Sequence, residues 1–530
     1  MIRPFAALSL AVMLASAAPA AAFQSTSDPF APGQRWSVGP GSGGTWIPRD
    51  VVFAAGGELV WAAPAVGNPR LALYAAGATQ GGEAPLFEGP PLPGAIGIVP
   101  VAAGAGPSDL FAAPQFADPD LSNRRTEVVR YDALAAGAGA PFEPSWTRVL
   151  PVQGNGPSLL AADASGGLVA AIHDPSGEAY VEWLSPATGL VLADARGAGG
   201  SLGALAMAEA GSRVALTAGV DLWVFDSAGQ TVHHETLPAA TGCLALSGAG
   251  DVLVVGGFDG ARVLVDDGAG FAEAFLVPAG PKEMAATAAL SADGSTVCVG
   301  FWDFISGTAV RVESRDVAGG ALLHGLAWSG PGGLQNFPQE ISLTADGGRI
   351  AVGLWGQGGA EPEVVLLDRA APQPIQAWSL SGSVLALDLD PSGTRIATAV
   401  KDSHANQFAT TGTVRVHDTG ERDVQVVGPA QIGGTLEVAF LQPGMSQAIF
   451  ALGTPSPGPR LIPGVQGALL LNPGLPLLFA PAPATAEGRA DLVAPLAPDP
   501  VLVGSPIGLQ AVGLGAEVVF SHQSVKPQIL

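Results

Sequence analysis

This 530-residue chain contains very little lysine, with only Lys282, Lys401 and Lys526. Its 46 Asp and Glu residues outnumber 23 Lys and Arg, which gives a formal net charge of -23. A chain of this charge repels phosphate backbones and anionic membranes, so it carries no electrostatic footprint for binding nucleic acid. The acidity favours solubility, and it would also suit cationic partners.

Cysteine is scarcer still, since only Cys243 and Cys298 are present. Two cysteines are too few for a scaffold held together by disulfides. Each lies in an apolar strand pattern of a different repeat, so we expect two buried free thiols, although export would permit a bridge between them.

Long apolar runs are missing after the amino terminus. Arg3, the apolar run Phe5 to Ala18 and the small residues Ala20 to Ala22 form the pattern of a secretory signal peptide, with Phe23 as the first mature residue. This run is too short to span a membrane, and no later run reaches roughly 18 apolar residues. We therefore expect residues 1-22 to be removed and the chain to be exported to the periplasm, the cell surface or the medium, without membrane insertion.

Recognised catalytic motifs are also missing. The seven histidines are scattered, and the sequence contains no His-Glu-x-x-His or paired-cysteine motif. No catalytic residue, cofactor site or metal site is predicted. Asp118-Pro-Asp120 and Asp266-Asp267 leave calcium open, although neither has the alternating oxygen ligands of a recognised calcium loop.

Glycine-bound turns, in contrast, recur along most of the chain. The repeated unit is a strand, a tight turn with glycine, and a second strand that starts three residues later. From Gly166 onward these glycines lie 39 to 53 residues apart, and a degraded copy surrounds Gly106. The turn glycines of the clear copies are Gly57, Gly166, Gly211, Gly250, Gly294, Gly347 and Gly393. Eight units result, or seven if the degraded copy is an elaboration of its neighbour.

A third strand of alternating pattern often closes on aspartate, at Asp132, Asp226, Asp266, Asp368 and Asp418. These units resemble the blades of WD-repeat and YVTN-like proteins. The resemblance implies an all-β chain, with a β-propeller of four-stranded blades over residues 23-432. We expect the closing aspartate to accept backbone N–H groups in the turn to the outer strand. We also expect Arg35 to Val38 to complete the last blade, after a strand at Asp423 to Val427.

Tryptophans follow some of these strands, at Trp146, Trp328 and Trp378. Together with Ala187-Thr-Gly189 and Asp418-Thr-Gly420, they are similar to the docking motif of pyrroloquinoline-quinone-type propellers. That resemblance implies tryptophans that pack between blades. The acidic and basic cofactor ligands of that family are not identifiable here, so no quinone is predicted.

The repeat ends near Gly433, and at least six short strands separated by Pro and Gly turns follow. This pattern predicts a small β-sandwich over residues 433-530. Ile462-Pro-Gly464 and Leu469 to Pro473 resemble a C-terminal module of large secreted bacterial proteins. The resemblance implies an accessory or surface-sorting module that serves attachment or stabilisation rather than activity. Alternatively, a plain sandwich caps the propeller.

The loops between second and third strands are long and should open on one face of the propeller. Trp302, Phe304, Trp355 and Phe408 lie in these loops, where they could bind a protein, peptide or carbohydrate. Alternatively, the tryptophans fold inward and plug the loops. The sequence favours a non-catalytic binding or scaffold protein. The alternatives are a propeller enzyme of lactonase, glycosidase or quinoprotein type with a dispersed site at the central channel, and a structural surface-layer or matrix component.

Overall fold

The computed structural model describes most of residues 33-520. It leaves out 40-45, 55-56, 58, 68-69, 77-86, 90-91, 93, 97-98, 105-108, 119-122, 133-142, 152-157, 164, 174-177, 199, 269, 330-333, 358-360, 372, 420-423, 427-432, 442-444, 462-467, 472, 486-488, 497-507 and 516-517. The predicted signal peptide, Gly106 and Ile462-Pro-Gly464 therefore lie outside the described residues.

The chain is all-β, and eight antiparallel sheets follow one another in sequence, seven with four strands and the second with six. We call these sheets blades 1 to 8. The first strand, β1 (Gly33–Val38), precedes blade 1. Blades 1 and 2 consist of β2 (Trp46–Phe53), β3 (Leu59–Gly67), β4 (Ala72–Ala75) and β5 (Phe87–Glu88) in blade 1, and β6 (Ala95–Ile96), β7 (Val101–Ala103), β8 (Asp109–Ala112), β9 (Gln115–Phe116), β10 (Arg125–Asp132) and β11 (Trp146–Val149) in blade 2. Blades 3 and 4 consist of β12 (Leu159–Ala162), β13 (Leu168–His173), β14 (Glu178–Leu184) and β15 (Val191–Ala198) in blade 3, and β16 (Leu202–Met207), β17 (Arg213–Ala218), β18 (Asp221–Asp226) and β19 (Thr231–Thr236) in blade 4.

Blade 2 carries β6 and β9 as two short additional strands beside its four. The strands of the remaining blades are, in blade 5, β20 (Thr241–Leu246), β21 (Val252–Gly257), β22 (Gly260–Asp266) and β23 (Phe271–Pro278); in blade 6, β24 (Glu283–Leu290), β25 (Thr296–Asp303), β26 (Ala309–Asp316) and β27 (Leu322–Ser329); in blade 7, β28 (Pro338–Leu343), β29 (Arg349–Leu354), β30 (Val364–Asp368) and β31 (Gln376–Trp378); and in blade 8, β32 (Ser383–Leu389), β33 (Arg395–Lys401) and β34 (Gly412–Asp418) together with β1.

The eight blades close into a ring. Each first strand contacts the first strand of the next blade, in the cyclic order β2, β7, β12, β16, β20, β24, β28, β32 and back to β2. Eight apolar clusters each combine side chains of two neighbouring blades, and one of them joins blade 8 to blade 1. A four-stranded sheet has two apolar faces to bury, and this stacking covers both. The predicted propeller with eight blades is therefore confirmed.

The turn between the first and second strands is built as the sequence predicts. All seven predicted turn glycines have positive φ, between 65° and 99°. Glycine reaches this region without the steric cost that other residues bear. Two of the closing aspartates behave as expected: Asp226 Oδ1 accepts the N–H groups of Ala228 and Gln230 at 2.9 Å, and Asp266 Oδ1 accepts those of Gly268 and Gly270.

Strand β1 is the outer strand of blade 8. It pairs antiparallel with β34, from Gly33 opposite Asp418 to Val38 opposite Val414. The predicted latch at Arg35 to Val38 is confirmed. The expectation that Asp423 to Val427 precedes the latch in blade 8 was wrong, because β35 (Val424–Val426) pairs with β36 (Thr435–Leu441) instead.

Beyond β36, the strands are β37 (Gln447–Gly453), β38 (Pro455–Leu461), β39 (Ala468–Leu471), β40 (Leu478–Pro483), β41 (Arg489–Pro495), β42 (Gly508–Leu514) and β43 (Val518–Phe520). They form a three-stranded sheet (β35-β36-β41), a four-stranded sheet (β40-β37-β42-β43) and a β38-β39 pair. Side chains from the first two sheets share one apolar cluster that includes Phe440 and Phe450.

Two further predictions about packing are confirmed. Cys243 and Cys298 are both buried and unpaired, and they belong to different interblade clusters. Trp146 docks on blade 3, where its Nε1 donates to the Pro186 carbonyl at 2.9 Å and its ring leaves no space for a side chain at Gly189. Among the described residues, no helix has the length and apolar character that crossing a membrane demands.

Candidate functional site

The loops between second and third strands share one end of the ring, which we call the loop face. Two of the four predicted binding residues, Trp302 and Trp355, are half-buried there. The Phe337 ring lies between them, with ring centroids 5.3 Å from Trp302 and 5.1 Å from Trp355. Trp355 Nε1 donates to Gln339 Oε1 at 2.9 Å. Both tryptophans therefore hold the connection between blades 6 and 7 in place.

The other two predicted residues reach solvent. Phe408 is 93% exposed on the blade 8 loop, and Phe304 is 36% exposed on the blade 6 loop. Phe304 packs edge-to-face on Phe258 of blade 5, with ring centroids 5.2 Å apart, and Ile305 beside it is 65% exposed. We call Phe258, Phe304 and Ile305 the apolar ridge. The structure thus brings Phe304 together with Phe258 and the two tryptophans together through Phe337.

Sequence reasoning missed Phe258. It occupies the two-residue turn Phe258-Asp259 between β21 and β22, a place where Gly, Asn and Asp are the usual residues. A large apolar side chain in such a turn was the available signal.

The loop that carries Phe304 and Ile305 has a fixed shape. Asp303 Oδ1 accepts the N–H groups of Ile305 and Ser306, both at 2.9 Å. These donors, that of Ser306 foremost, lower the pKa of Asp303, so its carboxylate is charged at neutral pH. The Phe304 N–H donates to the Lys282 carbonyl at 3.0 Å. Because the loop is ordered before any ligand arrives, binding through the ridge would cost little conformational entropy.

A small hollow of about 40 Å³ adjoins the ridge on blade 5, and Phe258, Leu237, Val255 and Leu276 contribute to its apolar wall. Leu276 is itself 43% exposed. The ridge and the hollow together form one apolar surface at the edge of the loop face.

A buried polar network lies beside the tryptophans and joins the loops of blades 6 to 8. The Asn336 side chain is fully buried, donates to Glu361 Oε2 at 2.7 Å and accepts the N–H of Gly356. Burial raises the pKa of Glu361. His404 contacts the Gln335 carbonyl through Nε2 at 2.6 Å. This network fixes the loops beside the two tryptophans.

Three carboxyl groups belong to the first strands around the channel: Asp50 of blade 1, Glu340 of blade 7 and Asp388 of blade 8. Each accepts a backbone N–H from the next blade, Asp50 from Val101 at 2.9 Å, Asp388 from Phe53 at 2.8 Å and Glu340 from Leu387 at 2.8 Å. Burial, reinforced by their mutual repulsion, raises the pKa of Asp50 to about 7 and that of Glu340 well above its usual range. Burial likewise raises the pKa of Asp388 to about 6.

A cavity of about 340 Å³ lies at the opposite end of the ring, beside the glycine turns. Residues 52-54, 101-104 and 160-163 and Pro391 line it, and most of these residues are apolar. Asp163 at its edge has both carboxylate oxygens occupied by N–H donors, which include those of Gly167 and Ala210. The cavity lining therefore offers little polar chemistry.

Within the part of the chain that the structure describes, no three His, Cys, Asp or Glu side chains are grouped so as to hold a metal ion. At Asp266, one carboxylate oxygen accepts turn N–H groups and the other lies 2.6 Å from Arg213 Nη1. That carboxylate already has a structural role in the turn and in the contact with blade 4.

Comparison with known proteins finds no protein-family model that matches the chain and no curated protein with a significantly similar sequence.

Proposed function

We propose that this protein is a non-catalytic binding or scaffold protein that holds a protein or peptide ligand on the apolar ridge. The observation that carries the proposal is the exposed edge-to-face pair Phe258 and Phe304, of which Phe304 lies on a loop whose backbone is fixed by Asp303. Exposed aromatic side chains on a pre-organised backbone are typical anchors of protein interfaces.

Charge narrows the ligand class. The chain carries a net charge of -23, and Asp259 and Asp303 flank the ridge in sequence. A ligand segment that combines apolar side chains with lysine or arginine would match both the apolar character of the ridge and the negative charge beside it. We therefore propose a basic peptide segment with apolar anchors, in preference to a carbohydrate.

A propeller enzyme with its site in the channel is the second candidate. The elevated pKa values of Asp50 and Asp388 favour it, because carboxyl groups that titrate near neutrality suit general acid–base catalysis. Against it, each of these carboxyls already accepts a backbone N–H of the neighbouring blade, which is a structural role. The eight first strands also contribute no histidine to the channel.

We further infer that the chain is exported after removal of residues 1-22 and that residues 433-530 form an accessory β-sandwich. The N-terminal sequence pattern supports export. The shared apolar cluster of the two C-terminal sheets supports the sandwich, because two sheets packed face to face are its defining feature.

Selection from a random peptide library on the immobilised mature protein tests the proposed function. We expect selected peptides to contain apolar and basic residues, and to bind the variant Phe258→Ser/Phe304→Ser at least about tenfold more weakly, because both anchors are removed. Phe479→Ser is the matched control, since Phe479 is 65% exposed on β40 outside the ring. Peptides that bind the double variant as tightly as the wild type would refute the role of the ridge.

A further inference from the structure

The three channel carboxyls are arranged in a directional series around the point where the ring closes. Glu340 of blade 7 accepts an N–H of blade 8, Asp388 of blade 8 accepts one of blade 1, and Asp50 of blade 1 accepts one of blade 2. Four consecutive blades, centred on the junction of the first and last, are thus joined through carboxyl groups.

Asp388 lies at the centre of this series. Besides the N–H of Phe53, its other oxygen accepts the hydroxyl of Ser342 in blade 7 at 3.0 Å and the N–H of Leu389 at 2.9 Å. The groups that act electrostatically on these carboxyls are one another and Asp390, all of the same sign. Three negative charges in a poorly solvated channel repel one another, and each proton that binds removes part of that repulsion.

The positive side chains on the strands packed against this series are engaged elsewhere. Arg395 Nη1 donates to the Gly57 carbonyl at 2.9 Å, Arg349 pairs with Asp368 at 3.2 Å, and Lys401 donates to the Ala405 carbonyl at 2.8 Å. Arg415 donates to Ser381. Arg49 is the exception: it repels the like charge of Lys401, and burial lowers its own pKa. Residues 59-67 and 101-103 contain no ionisable side chain.

The remaining ionisable side chains on these strands are His417 and Asp418 of β34, Glu283 of β24, and Cys298 and Asp303 of β25. Burial raises the pKa of the Cys298 thiol, so it stays neutral. Glu283 pairs with Arg311 at 2.6 Å, and Asp303 accepts the N–H groups of its own loop. His417 is buried, which lowers its pKa to about 3. It therefore stays neutral in the folded protein above that pH.

We propose that Glu340, Asp388 and Asp50 form a pH-sensitive contact between blades 7, 8, 1 and 2, which we call the clasp. The clasp stabilises the closed ring in mildly acidic surroundings and weakens as the pH rises through neutrality. This device is independent of the binding proposed for the ridge, which lies on the loop face of blades 5 and 6.

The direction in which stability changes with pH follows from the linkage between protonation and folding. An unfolded Asp loses its proton near pH 3.8, whereas folded Asp388 and Asp50 retain theirs to about pH 6 and 7. Their stabilising contribution is complete below the unfolded value and is lost as the pH rises through the folded values. His417 acts in the opposite direction, but only below its unfolded pKa of 6.5. The contribution of Asp388 and Asp50 is therefore lost mainly between about pH 4 and pH 7, and only the part above pH 6.5 is free of the opposing effect of His417.

Thermal unfolding of the mature protein between pH 5 and 8 tests the clasp. We expect the wild-type midpoint to fall on the order of 5 °C as the pH rises. The triple variant Asp50→Asn/Glu340→Gln/Asp388→Asn keeps the size of each side chain but removes the charge, so its midpoint should change far less. If the triple variant does not fold, Asp388→Asn alone should reduce the fall. Asp267→Asn, an exposed carboxylate of blade 5, should leave the wild-type fall unchanged.

Hydrogen exchange locates the effect. After correction for intrinsic base catalysis, exchange in peptides that cover β2, β7 and β32 should rise at least about tenfold from pH 6 to 8 in the wild type, and should stay nearly constant in the neutral variant. A wild-type midpoint that is flat or rises with pH, or an equal slope in the neutral variants, would overturn the proposal.

Discussion

At the scale of single residues, the turn glycines connect sequence to fold most directly. Gly347 has φ of +65°, and a Cβ there would overlap the Thr296 side chain of the preceding blade. The glycine is thus required both by its own backbone conformation and by the packing between blades.

We predict that Gly347→Ala lowers the free energy of unfolding by about 2 kcal/mol, because it combines a left-handed backbone with a steric clash. Gly319→Ala is the control, since Gly319 has no positive φ and a Cβ there would meet no atom within 4 Å. Its effect should stay within about 0.5 kcal/mol. Urea denaturation measures both, and equal effects would contradict the role assigned to Gly347.

The loop-face aromatics separate into structural and exposed groups. We predict that Trp355→Ala costs about 2 kcal/mol of stability, because the half-buried indole packs on Phe337 and donates to Gln339. Phe408→Ala should change stability by less than about 0.5 kcal/mol, since that ring is 93% exposed. Chemical denaturation distinguishes the two, and a neutral Trp355→Ala would show that the indole is not structural.

At the scale of elements, strand pairing determines how the ring closes. Strand β1 supplies the fourth strand of blade 8. Trp46, at the start of β2 in blade 1, donates its backbone N–H to the Thr410 carbonyl of blade 8 at 2.8 Å. Because β1 belongs to blade 8 and β2 to blade 1, the N-terminal part of the chain joins the last blade to the first.

We predict that deletion of residues 23-38 lowers the thermal midpoint by at least roughly 5 °C and promotes aggregation, because it exposes the edge of β34. Deletion of residues 23-32 alone leaves β1 in place and should have little effect. Scanning calorimetry and light scattering measure the two outcomes. Equal melting of the two truncated proteins would mean that β1 does not stabilise the closed ring.

Features that depend on the geometry of a single element could be predicted from the sequence, whereas features that depend on strand register could not. Turn glycines, closing aspartates and the docked Trp146 were recognisable because each acts through local geometry. The channel carboxyls were not, because a β-bulge interrupts the alternation in the first strands, between Pro48 and Asp50 in β2 and between Pro338 and Glu340 in β28. After a bulge, alternation no longer tells which side chains share a face. The ridge was half predicted, since only the structure brings Phe258 to Phe304.

At the scale of the whole molecule, the ring makes both proposed properties possible. Eight interblade clusters hold the loops of blades 5 and 6 side by side, which creates the ridge from segments distant in sequence. The same closure places Asp50 of the first blade beside Asp388 of the last. Binding on the loop face and proton linkage in the channel are therefore separate consequences of one architecture.

The central claim is that eight blades form one closed ring completed by the N-terminal strand. An experimental density map of the mature protein, viewed along the channel, tests it most directly. We predict eight blades, with residues 33-38 as the outer strand beside 412-418 and with Asp50 and Asp388 on adjoining blades. Seven blades, an open arc, or residues 33-38 paired elsewhere would contradict the account.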